Sequence, residues 1–247
     1  MLRIHSIFLS IQGEVNNVGG QGTPTVFIRF AGCKVGCSWC DTVHNHDVNN
    51  GKEMPVCDIL AAVCEVSKGC KSITITGGEP LEQIENRSFY CLLNQLSVLQ
   101  YSISIETSGT VPISPILLRY ESVSLVVDYK PKSSTAKISL EQLEQISNLR
   151  SPHIIKFPVM NKKDYEEAVT FIVINFGHVT SKRPGLFLSP VLGLKGKGVI
   201  TPQQVFNRLK ADSILIDLGV GLNLQIHKFI FDNNNEEETN GFMYGEV

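Results

Sequence analysis

The sequence is short of charge imbalance, long apolar runs and paired cysteines, and each shortage excludes something. A net charge of −2 provides no electrostatic footprint for nucleic acid, which binds a clustered basic face, so DNA and RNA are not expected partners. No apolar run reaches the roughly 18 to 20 residues that a bilayer-spanning helix needs. The opening MLRIHSIF lacks the basic-then-apolar layout of a secretory signal, so no membrane association and a cytoplasmic location are expected. The seven cysteines are an odd number, and Cys57, Cys64, Cys70 and Cys91 follow no framework spacing, which argues against a disulfide scaffold. Cys57 and Cys64 stand seven apart in a helical pattern and are expected to pack as small buried hydrophobes.

What is present suits a globular enzyme. With 247 residues, 43% hydrophobic and 19% charged, the chain is long enough for one large α/β domain and short for two. That domain is expected over residues 1–231, and the polar, acidic segment 232–247 (beginning DNNNEEETNG) is expected to be a disordered tail.

The other three cysteines are concentrated in Gly32 to Thr42, GCKVGCSWCDT, where Cys33, Cys37 and Cys40 have the spacing C-x3-C-x2-C. Three thiolates so close in sequence converge on one centre when the backbone forms a compact loop, which Gly32 and Gly36 permit. A four-iron four-sulfur cluster normally takes four cysteines, so three leave one iron open to a small molecule. The competing reading adds His44 or His46 as a fourth ligand and closes a structural zinc site.

Polar signatures recur where predicted strands end. An apolar run over 4–9 leads into Ser10-Ile11-Gln12-Gly13-Glu14, and the Gly- and Asn-rich stretch 16–23 is expected to be a mobile loop over a pocket. Residues 25–31 (TVFIRFA) read as a buried strand interrupted by Arg29, whose guanidinium needs either a protein carboxylate or an anionic ligand. A helix over 54–67 precedes a strand at 72–76 that runs into Gly77-Gly78-Glu79-Pro80. Further strands are expected at 102–106, 122–128, 154–157, 185–188, 214–216 and 222–230, with helices at 88–99, 140–147, 165–174 and 202–209. Repeated βα units imply a parallel sheet with right-handed crossovers. The expected fold is α/β, a partial (β/α)6-type TIM barrel with its site at the C-terminal ends of the strands.

The C-x3-C-x2-C loop, with Trp39 before its last cysteine, and the GGEP segment resemble the radical S-adenosylmethionine (SAM) superfamily. Within it, SIQGE at 10–14, Arg29, GCxxGCxWCDT, GGEP, IETSGT at 105–110 and QIHKF at 225–229 resemble the 7-carboxy-7-deazaguanine synthase family. The resemblance implies a lyase that contracts 6-carboxy-5,6,7,8-tetrahydropterin to 7-carboxy-7-deazaguanine with loss of ammonia, on the route to queuosine-type nucleosides. Cys33, Cys37 and Cys40 would then ligate a 4Fe–4S cluster. Trp39, Cys40, Asp41, Gly77, Gly78, Glu79, Gly109, Lys130 and Ser189 would face SAM, and Ile11, Gln12, Gly13, Glu14, Arg29, Thr107 and His227 the pterin. Thr42 would bind Mg2+ through its hydroxyl. The family also implies a low-potential electron donor such as flavodoxin and a homodimer.

The chain departs from the family pattern at Glu14-Val15, where QGEG is common, and at Asp128-Tyr129-Lys130, where Ser-Pro-Lys is common. It also continues past the HKF segment, where some members end. Competing readings are another radical SAM enzyme, such as a glycyl-radical activase, and a zinc-stabilised binding module.

Overall fold

A computed structural model describes residues 1–193 and 198–231 and the backbone of Phe242–Met243, with the side chain of His44 outside the description. The elements are β1 (Leu2–Ile11), β2 (Pro24–Phe30), β3 (Lys52–Met54), α1 (Val56–Ser67), β4 (Ser72–Gly77), α2 (Arg87–Val98), β5 (Ser102–Thr107), β6 (Val123–Asp128), α3 (Leu140–Ser147), β7 (Ile154–Val159), α4 (Lys162–Phe176), β8 (Gly185–Pro190), α5 (Pro202–Leu209), α6 (Ser213–Asp217), β9 (Gly221–Leu222), α7 (His227–Ile230) and β10 (Phe242–Met243).

One sheet carries them in the order β10-β1-β2-β4-β5-β6-β7-β8-β9, with β3 also on β1. From β2 to β9 every pairing is parallel, whereas β1 runs antiparallel to β2, β3 and β10. Parallel strands covered on both faces read as continuous apolar runs rather than alternations, as in VSLVVD of β6 and IIKFPV of β7. Six full strands run parallel (β2 and β4 to β8), β9 adds two residues, and β9 and β10 remain as unjoined edges among the described residues. This is the open partial barrel expected from the βα alternation.

Local chemistry sets where the helices begin. Ser139, Asn161 and Thr201 cap α3, α4 and α5 in capping boxes with Gln142, Asp164 and Gln204, each satisfying donors that a helix start leaves orphaned. The strands' C-terminal ends and the loops after them therefore gather at one end of the sheet.

Several expectations are corrected. Residues 214–216 are helical rather than a strand, because Asp212 accepts from Leu215 N at 3.1 Å to cap α6, and only the middle residue is buried: Leu215 is 0% exposed against 52% and 55% for Ile214 and Ile216. Of residues 222–230 only Leu222 is in strand pairing; the chain then crosses the sheet's end and turns into α7. There Asn223 N still donates to Leu188 O at 2.8 Å, and its side chain ties the segment to Val15 N, Glu14 and Ser189. Cys57 and Cys64 are exposed, because α1 buries Ile59, Ala62 and Val63 on its other face. The 16–23 stretch is tied down: Asn16 Oδ1 accepts from Val18 N and Gly20 N, and Val18 O accepts from Ser72 Oγ at 2.9 Å. It does not line the cleft described below. The tail expectation falls outside the described residues, apart from Phe242–Met243, which pair with Ile7 and Ser6 of β1.

Candidate active site

The ends of β1, β2, β4, β5, β6, β7 and β8, together with the cysteine loop and Gln225 to Lys228, enclose one cavity of about 230 Å³. Cys33, Cys37 and Cys40 all line it and are half-buried. Their loop is held by its own backbone: Gly32 N donates to Asn45 O at 2.9 Å, Cys33 N to His46 O at 3.1 Å and Cys40 N to Cys37 O at 3.3 Å. Ser38 N reaches Ser134 O at 2.9 Å, which anchors the loop to the segment after β6.

The two glycines of GGEP allow backbone to approach backbone. Gly77 has φ +113, and a Cβ there would strike Phe30; a Cβ on Gly78 would strike the Gly32 carbonyl. Their absence lets Gly78 N donate to Phe30 O at 2.8 Å and Glu79 N to Gly32 O at 2.9 Å. The end of β4 is thereby fastened to the first residue of the cysteine loop.

Burial raises the Cys33 thiol to about 11, helped by Glu79 and Glu82, and burial also raises Cys37. Loading such thiols with metal releases protons. Among the described residues no three His, Cys, Asp or Glu groups gather closely enough to hold a single metal ion, as a closed zinc site requires. Three thiols bordering one cavity suit a cubane, whose cysteines sit on separate irons. Trp39 Nε1 is buried without a hydrogen-bond partner among the described residues, while Lys130 Nζ stands 5.4 Å from the Trp39 ring centroid. The donor set fits an iron–sulfur cluster with a ligand beside it.

Across the cavity lies a charge network. Lys156, with a side chain 8% exposed, pairs with Glu14 and with Asp128 Oδ1 at 3.1 Å, and Lys130 pairs with Asp128 Oδ2 at 2.7 Å. Asp128 and Lys156 are register partners on adjacent strands. Burial opposes all of these charges, but the opposite charges prevail: Glu14 and Asp128 are held below the usual carboxylate values and Lys156 well above the lysine value. Glu106 differs. Burial pushes it up to about 6 despite Lys156, and Glu106 Oε2 accepts from Thr76 Oγ1 at 3.0 Å. Lys156, Asp128 and Glu106 were not among the expected site residues. The signal for Lys156 was legible, since a lysine inside IIKFPV raises the same question as the arginine inside TVFIRF.

The C-terminal segment closes the other side. His227 packs onto Gly13, where any Cβ would collide with its ring, and Ile226 N donates to Gly13 O at 2.9 Å. Gln225 Nε2 bridges Glu14 Oε1 at 3.0 Å and Asp41 Oδ2 at 3.2 Å, and Lys228 Nζ meets Asp41 Oδ2 at 2.7 Å. Arg29 lines the cavity with its guanidinium 5.2 Å from the Phe8 ring centroid, a cation–π distance.

Ile11, Gln12, Thr42, Thr107 and Ser189 also face the cavity. Two expected residues do not. Glu79, 1% exposed, accepts from Thr107 Oγ1, Ser108 N, Ser108 Oγ and Leu81 N. Gly109, at φ +70, lies against Asp128 O, leaving no room for a side chain.

Residues 27–172 match the radical SAM superfamily. The chain is 36% identical over 232 residues to the 7-carboxy-7-deazaguanine synthase of Clostridium acetobutylicum, covering 92% of this chain and 95% of that one. It is 31% identical over 229 residues to the enzyme of the same name from Methanospirillum hungatei, covering 93% and 85%. This chain belongs to the 7-carboxy-7-deazaguanine synthase family of the radical SAM superfamily. The crystal structure of QueE from Escherichia coli shares the fold, with a TM-score of 0.65 at 22% identity over 90% of this chain and 93% of that one. Membership among the 7-carboxy-7-deazaguanine synthases implies a 4Fe–4S cluster and SAM. It disfavours both the activase and the zinc module. Among the described residues no helix is long and apolar enough to cross a membrane.

Proposed function

We propose that this protein converts 6-carboxy-5,6,7,8-tetrahydropterin to 7-carboxy-7-deazaguanine with loss of ammonia, as the names of its relatives suggest. One observation carries the reading: the three cysteines share a single cleft with Glu14, Arg29 and His227, whose charges and hydrogen-bonding groups suit a small carboxylated heterocycle. Cys33, Cys37 and Cys40 hold the cluster. When bound, the cluster and SAM supply the one-electron chemistry that removes a hydrogen atom from the substrate.

The chain's own residues do the rest. Arg29 offers a planar fork to the substrate carboxylate. Lys156 keeps Glu14 ionised as an acceptor for ring N–H groups. Glu106, raised to about 6 by burial, is mostly ionised at neutral pH but keeps a protonated fraction that it can hand to the departing amine. The side chains from Gln225 to Lys228 keep bulk water from this end of the cleft. Thr42 lines the cavity and would offer its hydroxyl to Mg2+, which would supply positive charge beside the substrate carboxylate. Trp39, Asp41, Gly77, Gly78, Lys130 and Ser189 line the SAM side, and Glu79 and Gly109 shape it from behind. A low-potential donor such as flavodoxin, a homodimer and a cytoplasmic setting complete the reading.

The test is an anaerobic assay of the reconstituted protein with carboxytetrahydropterin, SAM, Mg2+ and dithionite, read as deazaguanine absorbance. Cys37→Ala should lose the product and most of the iron, whereas Cys64→Ala, altered at an exposed position, should keep both. Iron-loaded wild type that consumes no pterin would overturn the substrate assignment.

A further inference from the structure

Cys40 is treated differently from the other cysteines of its loop. Backbone amides of Val35 and Gly36 approach Cys33. At Cys40 the donors come from further along the chain: Thr42 N at 3.4 Å, Thr42 Oγ1 at 3.6 Å and, nearest, His46 Nε2 at 3.2 Å. The backbone that carries this imidazole is held in place. His46 N donates to Val43 O at 3.1 Å, and His46 O accepts from Cys33 N at 3.1 Å, so one residue clasps the first cysteine through its carbonyl and the last through its ring. His46 also lines the cleft.

A thiolate bound to iron has no proton and can only accept. Facing it, the ring must present Nε2–H. A hydrogen bond to a ligating sulfur draws charge from the cluster and is stronger when the cluster carries the extra electron, which raises the reduction potential. We propose that His46 is a positioning residue that acts through Cys40, donating Nε2–H to the ligating sulfur and easing one-electron reduction of the cluster. The inference rests on the cluster and not on the identity of the substrate.

The test is an EPR-monitored redox titration of anaerobically reconstituted protein without pterin, so its result is independent of the lyase assay. His46→Leu should keep its iron and sulfide but be reduced less favourably, by about threefold to tenfold, the scale of one net hydrogen bond; tenfold is about 59 mV for one electron. His46→Gln, whose amide can donate, should recover part of the shift. A potential equal to wild type in His46→Leu, with or without iron loss, would overturn the proposal. If His46→Leu does not fold, pulsed EPR of reduced wild type carrying 15N-histidine decides. A weak nitrogen coupling with an exchangeable proton supports the hydrogen bond, and either a strong coupling, as from direct ligation, or no coupling refutes it.

Discussion

Thr107 donates its hydroxyl to Glu79 Oε1 at 2.7 Å, joining the end of β5 to the loop after β4 behind the cleft. Leu81 N donates to the same oxygen at 3.1 Å, while Ser108 N and Ser108 Oγ donate to Oε2 at 2.7 and 2.5 Å. Four donors on two buried oxygens leave no lone pair for which an amide is a substitute. Glu79→Gln should therefore cost about 2 to 3 kcal/mol and lower the melting temperature by roughly 4 to 12 °C for a chain of this size. Unaltered melting with lost SAM affinity would instead make Glu79 a direct cofactor ligand.

Lys156 neutralises two carboxylates that would otherwise face each other in the interior. Lys156→Met should destabilise by about 3 to 5 kcal/mol, because Glu14 is left buried without its cation while Asp128 keeps only Lys130. Adding Glu14→Gln should return part of the loss. Urea denaturation of the single and double variants measures this coupling, and additive losses would show that the network is not a unit.

The pH dependence divides these carboxylates by sign. Asp128 and Glu14 are lowered on folding, so their contribution is present above the ordinary carboxylate range and disappears as pH falls through their folded values. Glu106 is raised from 4.5 to about 6, so its favourable contribution is complete below 4.5 and is lost as pH climbs past 6, a change of up to about 2 kcal/mol. Glu106→Gln should then melt higher than wild type at about pH 8 and gain less at about pH 5, while losing turnover. Thermal melts at the two pH values check the first part; a gain independent of pH would assign the effect to packing.

Arg29 tests substrate recognition. Lysine retains the charge but loses the planar fork. Arg29→Lys should bind its cluster and SAM normally and weaken the pterin by about 2 kcal/mol, roughly thirtyfold. Melting temperature and KM measured on one preparation separate this from a structural role, in which stability drops and substrate affinity holds.

Residues adjacent in sequence made much of the molecule legible. The C-x3-C-x2-C spacing, the strand-then-glycine run at GGEP and the βα alternation are local patterns, so the cofactor class, the parallel open barrel and the end of the sheet that carries the site could be read before any coordinates. Apolar triplets too short to show their period misled, as at 214–216, where only the cap at Asp212 distinguishes helix from strand. Cysteine burial in α1 also went astray, because a seven-residue spacing shows that two residues share a face but not which face meets the core.

The sequence by itself determined which chemical groups stand at the ends of the strands, because strand ends and turn residues are written in contiguous runs. Tertiary structure decided which of those groups meet. Asp128 and Lys156 are paired by the register of β6 on β7, Glu14 reaches Lys156 across 142 positions of chain, and Glu79 faces Thr107 and Ser108 rather than the cleft. Contacts of that kind depend on sheet order and on the direction of each side chain, and so do the charge states they impose, since burial and neighbouring charges exist only once the strands are side by side.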